Sequence, residues 1–260
     1  MTRPTVRQVV GGLLVSCVIG FLALPILVTV AFSFNASPRL SFPIEGLTLD
    51  WYDRGLRDPM FRDALRNSVV AAVVTALVAA LIGVPASFAL RGLAPRIRPL
   101  VAGGLLLPAI VPALLLGIAL TVFLEEVGLG LSLETAIIGH VLIALPFVVL
   151  SMVARLDSFD FSIVEAARSL GAGPARGFAD IVLPLIRPSI VGAMLLSMAL
   201  SLDEFVVTFF TRGGDDTLPV LIWGLLRRGI DPTINALATL ILAGTVTLAL
   251  IANRLTKVRL

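Results

Sequence analysis

Charge is what this sequence has least of. Only 14% of its 260 residues are Asp, Glu, Lys or Arg, against about 25% in a soluble domain. With 58% hydrophobic residues and a mean hydropathy of +1.03, that scarcity excludes a soluble domain and points to an integral membrane protein. The single cysteine, Cys17, excludes a disulfide within the chain. The single histidine, His140, allows no His-pair metal site, and no Cys/His cluster has metal-ligand spacing. There is no GxxxxGK[ST] loop to cradle phosphates and no GxSxG elbow to present a nucleophile. The residues therefore argue against an enzyme and call for no cofactor or metal bound by this chain.

Long uncharged runs are what the sequence does have. A hydrocarbon core of about 30 Å needs about 20 helical residues. Between Arg7 and Arg39 lie 31 residues without a formal charge, between Arg66 and Arg91 24, and between Arg98 and Glu125 26. Glu134 to Arg155 encloses 20 and Asp231 to Arg254 encloses 22. After Arg187 the run is only 15 residues, then Asp203-Glu204 interrupts, and seven apolar or hydroxyl residues continue to Thr211. Read as one span with an acidic pair inside it, this stretch completes six transmembrane helices, at about 10–34, 67–90, 99–124, 135–154, 188–211 and 232–253, in a single all-α domain. The first span could be a cleaved signal peptide, since Arg3 and Arg7 precede it, but its apolar stretch exceeds the usual 7–15 residues. The segment 217–229, with an uncharged run of 10, is too short to cross and reads as interfacial or re-entrant.

The basic residues give an orientation. With six spans and the N-terminus inside, the inner segments carry 12 of the 20 positive residues and four of the 17 acids. That asymmetry follows the positive-inside rule. It places both termini in the cytoplasm and accounts for the sequence pI of about 9.9 without nucleic acid.

The longest inner loop, about 157–187, contains "EAARSLGAGPARGFADIVLPLIRP" from Glu165 to Pro188. Ser162 and Glu165 have capping-box spacing, and Ile163, Ala167 and Leu170 share a helical face. Ala166, Ala167 and Gly171 keep the profile low, Pro174 can open a second short helix, and that helix would hold Phe178, Ile181 and Val182. On physical grounds the loop is either an amphipathic segment lying on the membrane or a docking element for a partner.

Glu165-Ala166-Ala167, three residues, Gly171, nine residues, Ile181, one residue, then Leu183-Pro184 resembles the EAA loop of permease subunits of ATP-binding-cassette importers. The wording at 46–52, 201–213 and 234–240 is similar to the spermidine/putrescine branch of that family. The resemblance implies the type I importer architecture, an inner-membrane location, and a coupling helix between the fourth and fifth spans. It also implies two cytoplasmic ATPase subunits that bind ATP and Mg, a second permease chain, which the polyamine-branch resemblance implies is a different one, and an extracytoplasmic solute-binding protein. Related branches import other small solutes, such as amino-acid derivatives or opines. A secondary transporter using Asp203 and Glu204 as a proton relay is the rival in kind, but it would have no use for such a loop.

Other residues carry a functional and a structural reading side by side. Asp203 and Glu204 are either a cation-attracting site on the pore wall or an internal pair with an arginine such as Arg212. Glu165 reads as a capping residue before it reads as a partner contact, and His140 as a packed histidine before a proton carrier. Trp51, Tyr52 and Trp223 read as interfacial belt residues, and Trp223 alternatively as a cation–π platform for an alkyl-ammonium. Pro25, Pro85, Pro108, Pro112 and Pro146 are expected to bend helices around a cavity.

Overall fold

The computed structural model describes residues 6–38, 43–228 and 232–257. Apart from one isolated bridge between Asn35 and Leu47, the regular structure among these residues is helical. Arg3, Arg39, Asp231 and Arg259, which enter the charge reading, lie outside them. The helices are α1 (Val6–Ser33), α2 (Asp50–Arg57), α3 (Pro59–Arg91), α4 (Arg98–Leu105), α5 (Leu107–Ile110), α6 (Ala113–Glu126), α7 (Leu133–Asp157), α8 (Ser162–Ser169), α9 (Pro174–Arg176), α10 (Leu183–Asp203), α11 (Val206–Thr211), α12 (Leu218–Arg228) and α13 (Pro232–Lys257). A π-helical turn, Gly177–Val182, joins α9 to α10. Pro184 is the second residue of α10, one position past that turn. With no N–H and a ring that crowds the carbonyl four residues back, Pro184 disfavours the ordinary α pattern there.

Among the described residues, four stretches are long and apolar enough to cross a membrane: Gly11–Ser33, Pro59–Arg91, Leu133–Asp157 and Pro174–Asp203. Two expected spans differ from their sequence reading. The third, 99–124, is not one helix but α4, α5 and α6. Val111 is extended, as a residue before proline prefers, and Pro112 stands as the N-cap residue just before α6. The fifth, 188–211, begins earlier at Leu183 and breaks after Asp203, where Glu204 turns to an extended conformation before α11. Of the prolines, Pro25, Pro85 and Pro146 sit inside continuous helices, whereas Pro112 stands at an outright break. The segment 217–229 is largely the helix α12.

The chain divides into two compact units. One comprises the chain up to Phe61 together with Ile222–Val246. Within it, Trp51 is buried, and its Nε1–H donates to the Asn35 carbonyl at 2.8 Å. Tyr52 Oη and Ser33 Oγ share a hydrogen bond of 2.6 Å. Trp51 is thus a packing residue rather than the belt residue its position suggested. Asn35, itself fully buried, accepts from the Ser37 and Glu45 backbone with its side chain, so the turn after α1 is held from within. Gly55 of α2 lies so close to Leu237 of α13 that a Cβ there would meet it at 2.5 Å.

The second unit comprises Arg62–Leu221 and the chain from Thr247. Its core joins Ala79 of α3, Ala144, Val148, Met152 and Leu156 of α7, and Ile186 and Ala193 of α10. A stripe of small residues on α3, among them Ala72, Ala76, Ala79 and Gly83, lets the backbones approach, as in other membrane helix contacts. A Cβ at Gly83 would meet Val148 Cγ1 at 2.7 Å. The same cluster continues to Phe159, Phe161, Val164 and Val182, so the short elements after α7 are seated on the α3–α7–α10 core.

Candidate functional site

Two places in the second unit gather the residues that the sequence singles out. The first is the segment from Asp157 to Leu183. The structure makes α8 from the EAA stretch, but without the expected capping box: Ser162 is the first helical residue and makes no cap with Glu165. Asp160 does that work instead. Its Oδ1 accepts the Ser162 N–H at 2.9 Å, and hydrogen bonds from the Ser162 side chain and backbone hold its carboxyl below the usual carboxylate range.

Gly171 ends α8 as expected. Its φ is +95°, in the left-handed region that favours glycine. The Ala172 N–H reaches the Ala167 carbonyl at 3.0 Å and the Gly171 N–H reaches Arg168 at 2.9 Å. That pair of bonds is the Schellman arrangement. Of the residues on α8, Val164 packs on the core. Ile163 and Leu170 face outward, Leu170 being 90% exposed. Glu165 and Ala166 are exposed too, Ala167 and Ile181 are half-buried, and Leu183 and Pro184 are exposed.

Behind α8, Asp157 is paired with Arg98 of α4 and Arg91 of α3. Arg91 also lies over the Phe161 ring, 4.1 Å from its centroid. Phe161 meets Phe159 edge-on at 4.7 Å, and Arg155 donates to the Leu185 carbonyl at 3.1 Å. These contacts join the ends of α3, α4 and α7 to the start of α8. The sequence shows each arginine and phenylalanine but gives no sign of their pairing.

The second place is the break between α10 and α11. Breaking a helix frees backbone groups that lipid cannot satisfy, and here side chains take them. Glu204 Oε1 accepts the Val207 N–H at 2.9 Å, which caps α11. At its other end, Thr121 of α6 donates to the Phe210 carbonyl at 2.9 Å and Thr135 of α7 donates to the Thr211 carbonyl at 2.7 Å. Gly139 gives α7 a close approach to α11: a Cβ there would meet Val207 Cγ1 at 2.5 Å.

His140 completes the arrangement. It is buried, with Nδ1 2.6 Å from Ser201 Oγ and Nε2 2.7 Å from Thr208 Oγ1. Its two partners lie on opposite sides of the break. His140 is thus the satisfied histidine that the sequence reading favoured. Ser201 and Thr208, seven positions apart and flanking the acids, were visible in the sequence and were missed.

The two acids differ in their commitments. Glu204 is half-buried and occupied as a cap, whereas Asp203 is exposed. The ion pair considered for them does not form, because Arg212 pairs with Asp216. Trp223 belongs to the other unit, 41% exposed, with the Arg227 guanidinium 5.1 Å from its ring centroid. Among the described residues, no three His, Cys, Asp or Glu side chains are grouped to hold a metal.

Similarity to known proteins agrees with this layout. The sequence pattern of the binding-protein-dependent transport system inner membrane components matches residues 81–258. The spermidine/putrescine transport system permease protein PotC of Escherichia coli (strain K12) is 33% identical over 237 residues, covering 91% of this chain and 89% of the relative. The putrescine transport system permease protein PotI of the same strain is 35% identical over 231 residues, 85% of this chain and 82% of the relative. The fold is similar to a chain of a bacterial ABC transporter involved in the import of the acidic polysaccharide alginate, with a TM-score of 0.71, 16% identity, and coverage of 96% and 95%. It is also similar to a chain of the MetNI methionine ABC transporter, with a TM-score of 0.63, 17% identity, and coverage of 75% and 93%. With the family pattern spanning the α8 loop and the broken helix alike, the chain belongs to the family of binding-protein-dependent transport system inner membrane components.

Proposed function

We propose that this chain is one permease subunit of an ATP-driven polyamine importer, and that it forms half of a pore for spermidine- or putrescine-like cations. The observation that carries the reading is its extended similarity to the PotC and PotI permeases. In this reading six spans cross the membrane, the third and fifth as broken helices, with both termini in the cytoplasm. Hydrolysis of ATP takes place in two separate cytoplasmic ATPase subunits. A second, different permease chain completes the pore, and an extracytoplasmic binding protein delivers the solute.

The α8 segment is the coupling helix in this account. Its exposed Ile163 and Leu170 form an apolar edge beside the small Ala166, which suits insertion into a cleft of the ATPase. Asp203 and Glu204 supply negative charge along the substrate path. A carboxylate at membrane depth is costly unless it faces water or protein, and its pull on an ammonium is stronger there than in bulk solvent. Exposed Asp203 is the better contact, since Glu204 is engaged as a cap. Trp223 contributes at most through its apolar ring, as Arg227 already occupies a cation–π position on it.

The test is neutralisation without loss of size. In the reconstituted importer, Asp203→Asn with Glu204→Gln should reduce spermidine uptake about tenfold, equivalent to about 1.4 kcal/mol, while basal ATP hydrolysis and assembly persist. Uptake at the wild-type rate by the double variant would reject the acidic path.

A further inference from the structure

His140 holds the two halves of the broken helix in one fixed relation, and we infer that it is a positioning residue for the acidic segment between them. The inference rests on the reading of Asp203 and Glu204 as part of the substrate path, but its first test does not.

The hydrogen-bond directions define the clamp. Thr208 has one hydroxyl proton, and it is donated to the Glu204 carbonyl at 2.8 Å. With that proton on the Glu204 carbonyl, Thr208 Oγ1 is the acceptor toward His140, and on this network we assign the ring proton to Nε2. Nδ1 is then the acceptor, and Ser201 donates to it. The result is a directed chain, Ser201 to His140 to Thr208 to the Glu204 carbonyl. It starts on α10, passes through α7 and ends on the backbone of the unwound residue.

Nothing in this chain is spare. A neutral imidazole has one donor and one acceptor, and each is used on a different side of the break. The neighbouring contact works in the same sense: with no side chain at Gly139, α7 comes up against Val207, so the ring reaches both hydroxyls without a gap. Ser201, His140 and Thr208 are all buried, and the clamp is therefore shielded from competing water. The unwound carbonyl of Glu204 is held by this chain, and the Glu204 carboxylate by the Val207 N–H. Asp203, the adjoining exposed acid, is carried on a backbone whose conformation those bonds define. His140 itself has no role in touching the solute.

The consequence is specific. Removing the clamp should loosen the break before it loosens the core. In the assembled complex, His140→Ala should speed amide hydrogen exchange about fivefold at 204–208, the change expected when a bond worth about 1 kcal/mol is lost. Exchange at Val148–Leu156, in the α3–α7–α10 core, should not change. Thr208→Val, which keeps the volume and removes the hydroxyl, should give the same local pattern and guards against misfolding of the alanine variant. Spermidine uptake should fall in both variants with basal ATP hydrolysis retained. His140→Gln, which can still donate to Thr208, should recover at least half of the rate. Unchanged exchange at 204–208, an equal rise at 148–156, or no rescue by glutamine would overturn the proposal. If the wild type imports no spermidine, the polyamine reading fails by itself and the exchange experiment still decides this one.

Discussion

The Arg91 guanidinium lies 4.1 Å from the centre of the Phe161 ring, so the last turn of α3 rests on the residue immediately before α8. Arg91 is also within 3.7 Å of Asp157 at the end of α7. A cation–π contact at a partly exposed site contributes about 0.5–1 kcal/mol, and a surface ion pair about 0–1 kcal/mol. Together they set where α8 sits relative to the helices behind it.

Arg91→Ala should therefore weaken coupling rather than assembly. Substrate-stimulated ATP hydrolysis is expected to fall about three- to fivefold, in line with a loss of about 1 kcal/mol, with basal hydrolysis near the wild-type value. Arg91→Lys keeps the charge beside Asp157 but loses the planar stack, and should fall between the two. Parallel loss of complex from the membrane in both variants would show that the contact is structural only.

At Gly171 the expected effect is one of backbone alone. Its φ of +95° costs other residues about 1–3 kcal/mol, yet no atom lies within 4 Å of a Cβ built there. Gly171→Ala and Gly171→Val should thus impair recovery of the ATPase with the permease to a similar degree, and Gly171→Asn should be milder. Valine much worse than alanine would point to a clash, and normal recovery in both would remove the need for the tight helix end.

The six-span topology can be checked with two cysteines in a Cys17→Ser background. Gly130 and Ser169 are both exposed and fall on opposite sides of the membrane in this account. An impermeant thiol reagent applied to intact cells should label Gly130→Cys and spare Ser169→Cys. The reverse pattern would invert the orientation.

Uncharged run length was a sound guide to where helices lie because lipid excludes charge, and it placed α1, α7 and α13 within a few residues. It failed on α3, whose helix continues through Arg62, Asp63 and Arg66, since charge ends a span without ending a helix. It also failed inside two runs. Pro108 and Pro112 carried the signal for the break before α6, but hydropathy is blind to backbone conformation. Asp203-Glu204 drew attention to the fifth span as a charge problem, when the physical event there is an unwinding repaired by Glu204, Thr121, Thr135 and His140. Those repairs join residues as far apart as Thr121 and Phe210, a pairing no local pattern encodes. At α8 the glycine end was legible because φ > 0 selects glycine, while the start was assigned to Ser162 although Asp160, two positions earlier, holds it.

The most direct measurement is solute uptake by proteoliposomes containing this chain, its permease partner, the ATPase subunits and the binding protein. The account predicts accumulation of labelled spermidine that requires ATP inside the cytoplasmic compartment and survives collapse of the proton gradient. Accumulation driven by the proton gradient without ATP would contradict the importer mechanism, and efficient uptake of an anionic solute with none of spermidine would contradict the polyamine path.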